Sequence, residues 1–190
     1  MSESQPAGDT QETQPGFRIL IVEDEEWDAE LAQRILKDGG LQFTAAVVAS
    51  RNDFSGHLMS FQPHVILSDF SLPGFSGEEA LRIAQQQCPH IPFLIWSGVL
   101  GDEVAVGLIK QGATDYILKD RPARLASAIQ HALAAASDRA QLAGLEHQIA
   151  TAQRLASQGQ LADAAQAVQQ TRDLLAAARN RLTSTDHQDG

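Results

Sequence analysis

The chain has 190 residues, 43% of them hydrophobic, with 24 acidic against 14 basic side chains and a net charge of −10. That length allows one domain with a sizeable core plus an appendage, and the acidic balance argues against the basic footprint that nucleic-acid binding requires. The polar, acidic start lacks the charged and apolar regions of a signal peptide, no apolar run is long enough to span a membrane, and the single Cys88 excludes an intrachain disulfide or a Cys-rich zinc site.

In chain order, residues 1–16 read as a disordered tail, consistent with a cytoplasmic protein. Arg18 to Val22 is an apolar run of strand length, followed by a helical pattern through Trp27, Leu31, Ile35 and Leu36 that Gly39-Gly40 ends. Phe43 to Val48 is a second, weaker strand, and Asn52 to Phe61 a short helix. His64 to Ser68 is a third strand, which leads through a Pro/Gly loop to a helix from Gly77 to about Gln87. Pro92 to Trp96 and Thr114 to Leu118 are the fourth and fifth strands, with a helix from about Asp102 to Gln111 between them and another starting near Pro122. Strands alternating with helices predict an α/β fold, a doubly wound five-stranded parallel sheet (flavodoxin-like, order 2-1-3-4-5) with a C-terminal α-helical extension. The continuous apolar strands agree, because both faces of such a sheet are covered.

Beyond about Ala136 Ala and Gln dominate. Leu142, Leu145, Ile149, Ala152 and Leu155 form a narrow helical seam, which Ser157 to Gln160 interrupts and which resumes at Leu161, Ala164, Val168, Leu175, Ala178 and Leu182. Residues 137–183 are therefore expected to be a helical hairpin or coiled-coil strands, with a frayed tail over 184–190 and the α/β domain over 17–136. Such a small-residue hairpin leaves an apolar side uncovered, so a homodimer through the C-terminal helices is expected.

The strand ends carry the chemistry. The first ends on Glu23-Asp24, the third on Asp69, the fourth on Ser97 and the fifth on Lys119. In a 2-1-3-4-5 sheet these meet in one crevice beyond the carboxyl ends of the strands, where ligands bind. Three clustered carboxylates repel one another and call for a hard divalent cation with oxygen ligands, Mg2+ being the natural candidate. A carboxylate so screened can take a phosphoryl group as a covalent nucleophile, with Ser97 donating to one phosphoryl oxygen and Lys119 pairing with another. Taken alone, Asp24, Glu25 and Glu26 are equally well read as the cap and first turn of a helix.

The motifs "ILIVEDE", "VILSDFSLPGFSGEEAL", "IWSG" and "GATDYILKD" resemble the response-regulator receiver domains (CheY-like) of two-component signalling, over about residues 17 to 136. The resemblance implies that Glu23 and Asp24 are the acidic pair, Asp69 the phosphoacceptor, Ser97 the switch hydroxyl, Lys119 the conserved-type lysine and Tyr116 the switch aromatic. It further implies a Mg2+ site of Glu23, Asp24, Asp69 and the backbone carbonyl of Ser71. Two departures stand out. Lys119 is followed by Asp120-Arg121-Pro122 instead of directly by proline, and Ser97 stands where threonine is commoner.

The implied function is a switch phosphorylated on Asp69 by a histidine kinase or phosphotransfer protein and acting through a downstream protein partner, without a DNA-binding output domain and with no enzymatic activity beyond its own phosphorylation and dephosphorylation. Two alternatives are a phosphorelay intermediate that passes phosphate to a histidine phosphotransfer protein and a scaffold receiver that is never phosphorylated. "EHQIAT" around His147 and "LASQGQLADAAQAV" loosely match a phosphorylated-histidine box and a tetratricopeptide repeat; a solvated helical histidine and a plain hairpin are the simpler accounts.

Overall fold

The computed structural model describes residues 16–98 and 101–185, with the side chains of residues 102 and 177–185 left out of the description. The chain divides after Ala134 into two compact units. The expected tails fall mainly on residues 1–15 and 186–190, outside the described residues.

The first unit begins with β1 (Phe17–Val22), α1 (Glu26–Asp38), β2 (Phe43–Val48), α2 (Arg51–Ser60) and β3 (Val65–Asp69). A short antiparallel hairpin follows, β4 (Ser71–Leu72) and β5 (Phe75–Ser76), and then α3 (Gly77–Gln87), β6 (Phe93–Ser97), α4 (Asp102–Lys110) and β7 (Asp115–Leu118). Pro122–Arg124 make one 3-10 turn, where an α-helix start was expected, and lead into α5 (Leu125–Ser157). The five long strands form one parallel sheet in the order β2-β1-β3-β6-β7, which is the predicted 2-1-3-4-5 once the small hairpin is set aside.

Alternate residues of each strand enter opposite cores, as the period of two requires. Leu20, Val22, Ile66 and Ile95 pack with Leu58, Leu81 and Leu108 on one side. Ile19, Ile21, Leu67, Trp96 and Ile117 pack with Ala32, Leu36 and Ile129 on the other. The α1 face differs from the sequence expectation. Trp27 is 78% exposed and Leu31 also faces out, while Ala29, Ala32 and Leu36 face the sheet. Small alanines let the start of the helix lie close to the strands, where Trp27 and Leu31 are turned to solvent.

The "SLPGFS" loop is more ordered than its Pro/Gly content suggested. Pro73-Gly74 joins Leu72 to Phe75, which pair across the hairpin, and Gly74 takes a φ of +82°. Proline followed by a positive-φ glycine is the signature of a type II turn. Ser76 then caps α3, its hydroxyl accepting from the Glu79 N–H at 3.2 Å.

The second unit holds the remainder of α5 and α6 (Leu161–Thr185). Gly159, with φ +77°, closes α5: its N–H donates to the Ala156 carbonyl at 3.1 Å and the Gln160 N–H to the Leu155 carbonyl at 3.0 Å. This double closure at a left-handed glycine is the Schellman pattern. Ala152, Ala164, Ala167 and Thr171 are buried. Of the expected seam, Leu142, Ile149, Leu161, Val168 and Leu175 are exposed, and Leu145 and Leu155 are half-buried. The small residues, not the large ones, make the buried face.

Candidate functional site

Parallel pairing brings four strand ends to one edge of the sheet. Glu23 directly follows β1 and Lys119 directly follows β7, while Asp69 and Ser97 are the last residues of β3 and β6. Backbone bonds fix both flanks: the Glu23 N–H donates to the Val48 carbonyl at 2.9 Å and the Lys119 N–H to the Ser97 carbonyl at 2.8 Å.

Asp69 is held by its own loop. Its Oδ1 accepts from the Phe70 N–H at 2.6 Å and from the Ser71 N–H at 3.3 Å, which leaves Oδ2 directed at Lys119. Gly77 makes room for this turn, because a Cβ there would lie 2.6 Å from the Asp69 carbonyl oxygen and 2.8 Å from the Phe70 Cα. The Gly77 N–H also donates to the Phe70 carbonyl at 2.9 Å.

Lys119 is the hub. Its Nζ donates to Asp28 Oδ2 at 2.6 Å, Glu23 Oε2 at 2.7 Å and Asp69 Oδ2 at 3.1 Å. An ammonium has three N–H donors, and all three are engaged by carboxylates. Burial works against the charged lysine, but the bonds to Asp28, Glu23 and Asp69 outweigh it and hold its pKa well above the ordinary lysine value. Burial pushes Glu23 up, and the Asp69 charge adds to this, while the hydrogen bond and charge of Lys119 pull the other way; the net direction is upward.

One ligand atom each from Glu23, Asp24 and Asp69 lie within 4.8 Å of one another, with Glu23 and Asp69 shielded and Asp24 open to solvent. Three hard oxygen donors of this kind, two fixed and one facing water, suit a small divalent cation that keeps part of its water shell.

The structure thus brings together Glu23, Asp24, Asp69 and Lys119. Ser97 is buried on the strand next to Asp69, one residue beyond Trp96, the register partner of Asp69. Ser71 lies in the same turn, its N–H on Asp69. Tyr116 is elsewhere: it pairs with Ile95 two residues short of the strand end and is half-buried against the core under α2, α3 and α4. The capping position of α1 is Glu25, not Asp24, and its N–H bonds to Glu23 Oε1 at 3.3 Å. No cis peptide bond occurs among the described residues, Lys119-Asp120-Arg121-Pro122 included.

Sequence reasoning missed two things here. Lys119, two strands away at the same edge of the sheet, pairs directly with the Asp69 carboxylate and not only with a phosphoryl oxygen. Asp28 belongs to the site as well. It sits one helical turn beyond Asp24, so the spacing was visible, but an acidic residue in the first turn of a helix is so common that it carries no signal.

Residues 19–130 match the family of response regulator receiver domains. The chain is 30% identical over 114 residues to the response regulator protein FleR of Pseudomonas aeruginosa, covering 56% of this chain and 22% of FleR. It is 31% identical over 103 residues to the cell cycle response regulator CtrA of Brucella ovis, covering 54% of this chain and 44% of CtrA. The matched part therefore spans less than half the length of these relatives. Among solved structures, the CheY-like receiver domain protein of Methanospirillum hungatei superposes with a TM-score of 0.59 at 25% identity, covering 66% of this chain and 99% of that one. NtrX of Brucella abortus does so with a TM-score of 0.61 at 28% identity, covering 69% and 30%.

Proposed function

This chain belongs to the response regulator receiver domain family, and from that premise we propose that it is a cytoplasmic signalling switch phosphorylated on Asp69 by a histidine kinase or phosphotransfer protein. The observation that carries this reading is the meeting of Glu23, Asp24, Asp69 and Lys119 at one sheet edge, with the Asp69 carboxylate oriented by two backbone N–H groups.

Glu23, Asp24, Asp69 and the Ser71 carbonyl would hold Mg2+, which when bound supplies positive charge beside the acceptor. An Asp69 carboxylate oxygen attacks the phosphorus of a phosphohistidine; the new P–O bond forms as the P–N bond breaks, and the histidine nitrogen keeps the electron pair. Lys119 then exchanges one of its carboxylate contacts for a phosphoryl oxygen, and the Ser97 hydroxyl donates to another. Such transfer depends mainly on positioning and charge neutralisation, and the fixed Asp69 turn provides the positioning. Tyr116, half-buried beside α4, is the side chain whose packing would follow a movement of Ser97.

The output acts through protein contacts. The described C-terminal part is helical only, and its exposed Leu142, Ile149, Leu161, Val168 and Leu175 fit a homodimer formed through the hairpins. No described helix is long and apolar enough to cross a membrane.

The test is labelling by acetyl phosphate with magnesium. Wild type should take up one phosphoryl group per chain, located on Asp69 by peptide mass spectrometry, and Asp69→Asn should take up none. Stoichiometric label in that variant would refute the assignment.

A further inference from the structure

We propose that Asp28 is a positioning residue for Lys119: it holds the ammonium on the α1 side of the site and competes with an incoming phosphoryl group for it. The role rests on the reading of Asp69 as the phosphoacceptor.

The geometry carries this step by step. Lys119 has three donors and three carboxylate partners, so a phosphoryl oxygen can bond it only by displacing one of them. Asp28 makes the shortest of these contacts, at 2.6 Å, against 3.1 Å to Asp69. Glu23 and Asp69 both belong to the trio whose ligand atoms converge within 4.8 Å, and both would also face the proposed Mg2+. Asp28 stands outside that trio, and among the described ion pairs its only partner is Lys119. It also lies nearer to water, its side chain 34% exposed against 2% for Glu23. Asp28 is not one of the three converging carboxylates, and its contact is with the lysine: it neutralises the ammonium and adds negative charge beside an anionic substrate. Removing that charge frees the ammonium for the phosphoryl group.

Asp28→Asn keeps the size and polarity of the side chain while deleting the charge. With acetyl phosphate and magnesium at low salt, this variant should be labelled on the order of fivefold faster than wild type, and its label should be lost more slowly. The advantage should shrink as salt is raised from roughly 0.05 M to 0.5 M, because competition between charges in a partly open site is screened. A purely structural role would not show that salt dependence. Asp28→Glu keeps the charge and should stay near the wild-type rate; thermal melts of all three proteins establish that they are folded. The proposal is overturned if Asp28→Asn is labelled no faster than wild type, if its advantage is indifferent to salt, or if Asp28→Glu behaves like Asp28→Asn. A wild type that takes no label on Asp69 overturns the functional reading together with this role, which separates the two failures.

Discussion

At the scale of single residues, Glu23 is the group whose ionisation the site controls most visibly. Burial raises its pKa above the ordinary value of 4.5, and the Asp69 charge reinforces this. An acid with a raised native pKa contributes most to stability below its unfolded value and loses that contribution as pH rises through the native one. Bound magnesium would reverse the sign, because only the deprotonated carboxylate ligates. Stabilisation by magnesium is therefore expected to grow as pH rises through the Glu23 titration, which burial displaces upward. Melting temperatures with and without magnesium across pH measure this. Asp24→Ala should remove most of the magnesium effect, and Glu23→Gln should flatten its pH dependence. A melting temperature that ignores magnesium at every pH would count against the cation site.

Among the elements, the segment from Asp69 to Gly77 is the most constrained. The Asp69 turn, the β4–β5 hairpin and the α3 cap follow one another without a free residue, and Gly77 lies against the Asp69 and Phe70 backbone. A Cβ at Gly77 would approach backbone atoms and not the end of a flexible side chain, so the turn itself has to shift. Gly77→Ala is expected to cost about 1–3 kcal/mol, as overpacking usually does, and to slow labelling by moving the Asp69 carboxylate away from its backbone donors. Urea denaturation measures the first effect and acetyl phosphate labelling the second. Unchanged values for both would show that the loop yields without moving Asp69.

For the whole molecule, the hairpin presents an uncovered apolar face. Leu142 and Ile149 on α5, and Leu161, Val168 and Leu175 on α6, recur every seven residues, and their exposures run from 49% to 71%. Counted from the Gly159 turn, Leu142 and Leu175 lie nearly equally far along the two helices, as do Ile149 and Val168, so a two-fold-related copy could stack like layers on like, as a four-helix bundle requires. Covering each such half-exposed side chain contributes roughly 1 kcal/mol. Ten of them in a dimer come close to the 4–15 kcal/mol cost of association. A concentration-dependent dimer is expected, with Val168→Glu monomeric at concentrations where wild type is dimeric. Light scattering over a dilution series checks this; a wild-type mass that stays monomeric throughout would leave the hairpin to a different partner.

The sequence by itself determined the sheet and the ends of its strands. Continuous apolar runs such as Val65-Ile66-Leu67 are strands by local chemistry, and a parallel sheet in a doubly wound order leaves their carboxyl ends together, so Glu23, Asp24, Asp69, Ser97 and Lys119 could be read from position alone. The structure alone decided what touches what. Periodicity proposes an apolar face but cannot weigh size against closeness of approach: Trp27 belongs to the helical apolar pattern, yet Ala29 and Ala32 take the sheet side. In the hairpin, likewise, Ala152 and Ala164 are buried while Ile149 and Val168 are out. The partners of Lys119 were equally hidden: its contacts to Asp28, Glu23 and Asp69 join residues 91, 96 and 50 positions away in the chain. Short-range pattern fixes which segments form because hydrogen bonding and burial there are local. Charge pairing across strand ends depends on distances of a few ångströms that only the assembled sheet sets.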